Sequence, residues 1–117
     1  FGGYRVQGRG EAGDRLLQDA KSLEAAGACA VVLELVPVEL AHRVSDLLTI
    51  PTIGIGAGSG TDAQVIVWQD LVGLTPAPHP RFVRPYADIR STMLDAVRNW
   101  NADVVSGAYP AEAESYH

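Results

Sequence analysis

The sequence predicts an α/β fold in which helices cover a parallel sheet. Short apolar runs at residues 29–35 and 52–55 suit strands, and segments with helical apolar spacing precede and separate them. This alternation of helix and strand with short joins is typical of parallel sheets. Both runs are apolar almost throughout rather than alternating, so we expect a sheet that is buried on both faces.

The first elements follow from their spacing. Residues 1–10 hold four glycines and two arginines without periodicity, and they predict a loop. Residues 11–26 predict a helix that ends at Gly27 as its C-cap. Its apolar stripe comprises Leu16, Leu17, Ala20 and Leu23. The strand predicted at residues 29–35 follows.

A second helix is predicted after Pro37, because proline suits the first turn of a helix. Its apolar face comprises Leu40, Val44, Leu47 and Leu48. A further helix is predicted over residues 85–105, ending at Gly107. Its stripe comprises Ile89, Met93, Val97, Trp100 and Val104.

Residues 64–69 leave two alternatives open. Their β-branched side chains favour a strand. However, residues 57–63 are too few for an ordinary parallel crossover, and Asp62 could instead cap a helix that runs to about Leu71. From the residues alone we favour a strand.

The bulk properties exclude some classes of partner. A net charge of -5 and a pI of about 5.0 argue against nucleic acid, which requires a basic surface. No apolar run approaches the ~20 residues of a membrane span. Cys29 lies in an apolar run and has no partner for an intrachain disulfide, so we expect a buried thiol and a reducing, cytoplasmic setting. Because the chain starts at Phe1 within a glycine-rich loop, we also expect it to be an excerpt from a longer protein.

Glu34 is the leading candidate for chemistry. It stands near the end of the apolar run at residues 28–37, where we expect the end of a buried strand. A buried charge is costly, and burial raises the pKa of a carboxyl toward the range of a general base. The carboxyl ends of strands are also where α/β enzymes place their catalytic residues. The alternative is a carboxylate that pairs with a basic residue at the end of the sheet.

The other candidates are weaker. Residues 54–58, GIGAG, match neither the dinucleotide pattern nor the P-loop, so we expect these glycines to allow close backbone approach and unusual φ angles. Arg5 and Arg9 could meet an anionic substrate, although surface arginine is the simpler explanation. The histidines, such as His42 and His79, lack metal-ligand spacing, so a histidine metal site is not expected. Asp62 and Asp70 suit capping or turn roles.

Several segments in the same order resemble the ketopantoate hydroxymethyltransferase family. They are GGYRVQGR (2–9), VLELVP (32–37), IPTIGIGAG (50–58), QVIVWQD (64–70) and the closing GAYPAEAESYH (107–117). The resemblance covers nearly the whole chain. It departs at Ala63, where the family usually has glycine between Asp62 and Gln64, and in the proline-rich residues 75–80.

The resemblance implies a (β/α)8 TIM barrel, of which residues 1–117 would form a single incomplete domain with the last three strands and their helices. Residues 64–70 would be the eighth strand. The family transfers a hydroxymethyl group from 5,10-methylenetetrahydrofolate to the α-keto acid 3-methyl-2-oxobutanoate, using Mg²⁺, in pantothenate and coenzyme A biosynthesis. Glu34 matches its proton acceptor.

The resemblance places the metal carboxylates and a lysine that holds the keto acid on earlier strands. It also implies a homo-oligomer in the complete enzyme. Two alternatives remain open at this point. The chain could be a truncated homologue that only binds or assembles, or it could belong to another Mg²⁺-dependent α-keto-acid barrel enzyme such as a lyase.

Overall fold

A computed structural model describes residues 11–116, which form helices, three short strands and connecting loops. The helices are α1 (Glu11–Ala25), α2 (Val38–Leu47), α3 (Trp68–Leu71) and α4 (Ile89–Ser106), and the strands are β1 (Val31–Glu34), β2 (Thr52–Ile55) and β3 (Ala63–Gln64). These residues divide into two compact units. The first comprises residues 11–67 with Pro80–Val83, and the second comprises Trp68–His79 with residues 84–116.

Helix α1 ends where the sequence predicts. Gly27 has a φ of 94°, a left-handed conformation that glycine adopts without steric cost. The N–H of Gly27 donates to the carbonyl of Glu24, and that of Ala28 donates to the carbonyl of Leu23. This pair of bonds is a Schellman motif, and it turns the chain out of α1 toward β1.

The sheet of the first unit is parallel, in the order β1-β2-β3. Val31 pairs with Thr52, and Glu34 pairs with Ile55 at the carboxyl ends of β1 and β2. The connection between these strands is α2. The prediction of an α/β fold with parallel strands is therefore confirmed for this part of the chain.

The core of the first unit lies between the sheet and its two long helices. It comprises Ala20, Val31, Leu33, Val36, Leu40, Ala41, Val44, Leu48 and Ala57, with Leu16, Leu17 and Ile50 packed against it. Helix α2 follows Pro37 and contributes Leu40, Ala41 and Val44, which lie on the face that its spacing predicts. Leu23, in contrast, is half exposed at the end of α1.

The expectation of a sheet buried on both faces is wrong for this stretch. Val31 and Leu33 point into the core, whereas Val32, between them, is 58% exposed. Successive side chains of a strand point to opposite faces, and the helices of the first unit cover only one face. The other face, which we call the open face, carries Val32 and Glu34 of β1 with Ile53 and Ile55 of β2.

Cys29 is also a correction, because it is exposed rather than buried. It lies in the bend between Gly27 and the start of β1 at Val31, outside the strand in which the sequence placed it. An apolar sequence neighbourhood does not bury a residue that precedes the first paired position of a strand.

The strand predicted at residues 64–70 is much shorter in the structure. Strand β3 pairs with Ile53 and Gly54 of β2, and the chain then forms helix α3 from Trp68. The N–H of Val65 still donates to the carbonyl of Gly54 at 3.0 Å, but the β-branched residues after Gln64 do not belong to the sheet. The short connection between β2 and β3 suffices because β3 starts opposite Ile53. From the end of β2 the chain has to return along the strand by only about two residues before β3 begins.

The second unit contains the longest helix. Asp88 caps α4 by accepting a hydrogen bond of 3.0 Å from the N–H of Ser91, and Gly107 ends it with a φ of 76°. The predicted stripe lies on one side of α4, but each of its members is exposed: Ile89, Met93, Val97, Trp100 and Val104. Across residues 11–116, none of the helices is both long and apolar enough to span a membrane.

Candidate functional site

Glu34 occupies the last position of β1, at the carboxyl edge of the sheet. The register places it beside Ile55, the last residue of β2. The predicted position at a strand end is therefore confirmed. The predicted burial is wrong for the described residues, because Glu34 lies on the open face and is exposed. No covering layer lies on that face within the first unit, so its carboxylate can meet solvent or a ligand.

An open apolar groove runs along the free edge of β1, beside this carboxylate. Its lining comprises Leu16, Asp19, Ala20, Leu23, Val31, Val32, Leu33, Glu34 and Val36. Strand β1 is an edge strand of the described sheet, because only β2 pairs with it. The backbone donors and acceptors along this free edge are therefore available to a further strand.

The chain turns sharply directly after Glu34. Leu35 has a φ of 56°, which is the left-handed region, while its N–H still donates to the carbonyl of Ile55 at 2.9 Å. Pro37 is the N-cap residue of α2, so it lies one position before the first helical turn in which the sequence placed it. Glu34 is thus held between a paired strand and a short, tightly turned segment.

The glycine-rich segment after β2 packs closely against its neighbours, as the sequence predicts. Gly56 and Gly58 have positive φ angles, 64° and 77°. A methyl group on Gly58 would lie 2.6 Å from Cγ2 of Val38, and one on Gly54 would lie 2.6 Å from Oγ1 of Thr61. A side chain at position 58 would push the loop away from α2, and one at position 54, within β2, would meet Thr61 of the same loop. These glycines therefore serve packing and turn geometry.

A polar cluster braces the loop that leads to β3. Asp62 Oδ2 accepts hydrogen bonds from the N–H of Thr52 at 2.8 Å and from its Oγ1 at 2.9 Å. Thr52 is fully buried, and its hydroxyl also shares a 2.6 Å hydrogen bond with that of Ser45 on α2. The backbone N–H of Thr52, followed by its hydroxyl, lowers the pKa of Asp62 from its ordinary value. Asp62 therefore takes the turn role that its sequence context suits.

The amide of Gln64 fastens the same loop from β3. Its Nε2 donates to the carbonyl of Gly58 at 2.9 Å and to Oγ1 of Thr61 at 2.8 Å. Ala63, where the family usually has glycine, lies in β3 and is exposed. An exposed, extended residue accommodates a methyl group, so this departure does not disturb the turn.

The remaining sequence candidates do not assemble around Glu34. His42 is exposed on α2 with its ring against Gly60, and His79 lies in the loop between two prolines. Arg5 and Arg9 lie outside the described residues, as does the predicted opening loop. Within residues 11–116, no three of the His, Cys, Asp and Glu side chains form a group that could hold a metal ion.

The comparisons with known proteins decide the family. The family model for ketopantoate hydroxymethyltransferase matches residues 1–112. The chain belongs to this family. The resemblance carried by the four motifs and the closing segment is thereby confirmed.

Curated relatives named 3-methyl-2-oxobutanoate hydroxymethyltransferase align with almost the whole chain. The protein of Frankia casuarinae is 62% identical over 116 residues, which are 99% of this chain and 39% of the relative. That of Streptomyces coelicolor is 59% identical over 98% of this chain and 40% of the relative. That of Enterobacter sp. is 56% identical over 100% of this chain and 44% of the relative. The chain therefore spans about two fifths of the length of these relatives.

Sequence reasoning missed two residues of this region. Nothing in the sequence marks Leu35 as left-handed, because leucine rarely adopts this conformation. Thr52 carries no signal either, because a threonine in a strand is ordinary. A glycine or asparagine at position 35 would have been the usual signal.

Proposed function

We propose that this chain forms the C-terminal part of a 3-methyl-2-oxobutanoate hydroxymethyltransferase. The enzyme would transfer a hydroxymethyl group from 5,10-methylenetetrahydrofolate to 3-methyl-2-oxobutanoate and give 2-dehydropantoate for pantothenate biosynthesis. The observation that carries the proposal is the high identity, along nearly the whole chain, to relatives of that name. Neither alternative, a non-catalytic homologue or a lyase, gains support over it from these relatives.

In this proposal Glu34 is the general base. Its carboxylate takes the proton from C3 of 3-methyl-2-oxobutanoate, and the electrons of the C3–H bond form the C2=C3 bond of an enolate. The π electrons of C2=O move to its oxygen as the enolate forms. Overall, C3 bonds to the methylene carbon of the folate, both C–N bonds of that carbon break to leave tetrahydrofolate, and water supplies the hydroxyl of the new hydroxymethyl group. The support from the structure is the exposed carboxylate at the carboxyl end of β1, where barrel enzymes place catalytic residues.

The reaction also needs an electrophile to hold the enolate, and the resemblance assigns this role to Mg²⁺. Magnesium requires several oxygen ligands in near-octahedral geometry. Val32 and Ile55 are the neighbours of Glu34 on the open face, and both are apolar. The described residues therefore do not fit a Mg²⁺ site, and we derive no step through the metal. In this proposal its ligands lie on earlier strands of the complete enzyme.

The architecture of the complete protein is part of the same proposal. A (β/α)8 barrel would pair the free edges of β1 and β3 with further strands and would cover the open face with inward-pointing side chains. A single barrel domain, a homo-oligomer and a cytoplasmic location follow from the family resemblance. The small-molecule partners would be the keto acid and the folate.

The test uses a complete enzyme, the Frankia casuarinae relative in which this chain replaces the matching stretch. We refer to it as the hybrid enzyme. Deuterium exchange at C3 of 3-methyl-2-oxobutanoate is measured without folate, so that only proton removal is observed. Glu34→Gln keeps the shape of the side chain and removes the base, and we expect exchange to slow by ~10²–10⁴-fold.

The matched control is Glu39→Gln, which removes an exposed carboxylate from the first turn of α2. We expect this variant to exchange at the rate of the unchanged hybrid enzyme. Near-normal exchange by the Glu34→Gln variant would refute the assignment of the base.

A further inference from the structure

The residue directly after Glu34 has an unusual backbone conformation. Leu35 has a φ of 56°, and it is the only described residue other than glycine with a positive φ. In this region the Cβ of an L-residue crowds its own backbone, which makes the conformation costly for leucine. Such conformations persist where the surrounding structure holds them, and they cluster at functional sites.

The left-handed turn interrupts the alternation of β1. Leu33 points into the core, so a continued strand would direct Leu35 into the core and Val36 onto the open face. Instead, Val36 is buried at 4% exposure and Leu35 lies over the carboxyl end of the sheet. The strand therefore ends at Glu34. Because Glu34 is the last paired residue before the turn, the geometry of the strand sets the direction of the Cα–Cβ bond of Glu34.

The packing around Gly56 shows what holds Leu35 in place. A methyl group on Gly56 would lie 3.0 Å from Cδ2 of Leu35 and 3.0 Å from Cγ of the Phe82 ring. Gly56 is itself left-handed, so two left-handed residues end neighbouring strands and pack against each other. The bond from the N–H of Leu35 to the carbonyl of Ile55 joins the same two strand ends.

We propose that Leu35 is a positioning residue for Glu34. Its left-handed backbone, held where its side chain packs close to Gly56, ends β1 so that the carboxylate of Glu34 keeps one direction at the edge of the sheet. This inference rests on the proposed function, because it gives Glu34 the role of base. A base must lie within hydrogen-bond reach of the proton it removes, and a displacement of about 1 Å can slow a reaction by ~10²-fold.

Two substitutions in the hybrid enzyme distinguish the effect of the Leu35 backbone conformation from the effect of its side-chain contact. Leu35→Gly and Leu35→Ala both remove the contact with Gly56, but glycine adopts the left-handed region freely and alanine does not. We expect kcat for C3 exchange to fall by ~10- to 100-fold in Leu35→Ala and by no more than about threefold in Leu35→Gly, with KM little changed in either.

The control for general destabilisation is Leu40→Ala, which removes a buried leucine of α2 away from the strand ends. It should lower the melting temperature at least as much as Leu35→Ala and leave kcat per folded enzyme unchanged. Equal losses of kcat in Leu35→Gly and Leu35→Ala would overturn the proposal, and so would full activity of Leu35→Ala.

The outcome also separates this inference from the proposed function. If the Glu34→Gln variant exchanges the C3 proton at a normal rate, Glu34 is not the base, and the positioning role of Leu35 is refuted as well. If Glu34→Gln is inactive while Leu35→Ala is fully active, only the positioning role is refuted.

Discussion

Helices α2 and α4 carry apolar stripes of similar helical spacing, but their surroundings differ. Leu40, Ala41 and Val44 of α2 are buried against the sheet of the first unit. The corresponding residues of α4 in the second unit are exposed, with Val97 at 61%. The spacing thus identifies which face of a helix is apolar, but burial of that face depends on another element that covers it.

The sheet of the first unit shows the same contrast between its own two faces. Thr52 and Leu33 lie on the covered face, whereas Val32 and Glu34 lie on the open face. Exposed apolar surface of this extent is unusual for a soluble monomer. Each unit thus carries an apolar surface that no element of the same unit covers among the described residues.

The largest expected effect concerns the chain on its own. Residues 1–117 expressed alone should aggregate, self-associate or stay partly molten, because the open face and the strand edges are uncovered within the described first unit and the α4 stripe is exposed within the second. Sedimentation and thermal melting measure this. A sharp two-state melt from a monodisperse monomer would mean that the chain is a complete small domain and that the barrel proposal is wrong.

A substitution on α4 sharpens this prediction. Val97→Ser removes one exposed apolar side chain and should weaken self-association of the isolated chain by roughly tenfold. Asn99→Ser, on the opposite side of the same helix, is the matched control and should leave association unchanged. Equal association constants for the two variants would show that the α4 stripe takes no part.

The two faces of the sheet can be compared in the hybrid enzyme by urea denaturation. Val44→Ala, at a fully buried position of α2, should lower the free energy of unfolding by about 2 kcal/mol. Val32→Ala should cost a similar amount, about 1–2 kcal/mol, because a closed barrel would bury the open face. A cost for Val32→Ala below about 0.5 kcal/mol, the usual range for surface positions, would contradict a closed barrel.

The polar cluster of the first unit gives a further prediction in the hybrid enzyme. Thr52→Val keeps the shape of a buried side chain but removes the hydroxyl that bonds to Asp62 and Ser45. The loss should be about 1–2 kcal/mol in the free energy of unfolding, since Ser45 and Asp62 each lose a partner. Thr61→Val, at a less buried threonine of the same loop, should cost less, and the reverse order would contradict the importance of the cluster.

The smallest expected effect is a pH dependence. The pKa of Asp62 is lowered in the folded state by hydrogen bonds from Thr52, the backbone N–H first. A depressed carboxyl pKa stabilises the folded state above the unfolded value, near pH 4, and this stabilisation is lost as the pH falls through the folded value. Asp62→Asn in the hybrid enzyme should therefore lose less stability than the unchanged protein between pH 5 and about pH 3.

Thr52→Val is the control for that comparison, because it keeps the N–H donor that lowers the pKa of Asp62 most. It should retain more of the acid dependence than Asp62→Asn does. An acid dependence of the same size in Asp62→Asn and in the unchanged hybrid enzyme would show that this carboxylate does not contribute to it.

Much of the fold follows from local signals. The C-caps at Gly27 and Gly107 are examples, because a left-handed helix end needs glycine whatever surrounds it. The strand predicted beyond Gln64 is the counterexample: β-branched residues favour a strand, but the pairing stops at Gly54 and Gln64, and helix α3 begins at Trp68. A strand requires a partner backbone, and the sequence of one segment does not show how far pairing with its partner extends.

For the candidate site, the sequence by itself determined the residue and its place. An acidic residue that closes an apolar run identifies Glu34 and the end of β1, because period and composition are local properties. Only the tertiary structure decided that Glu34 is exposed on the open face, that Leu35 turns left-handed against Gly56, and that Asp62 holds Thr52. These features depend on which segments meet across the sheet, and such contacts join residues that lie far apart along the chain.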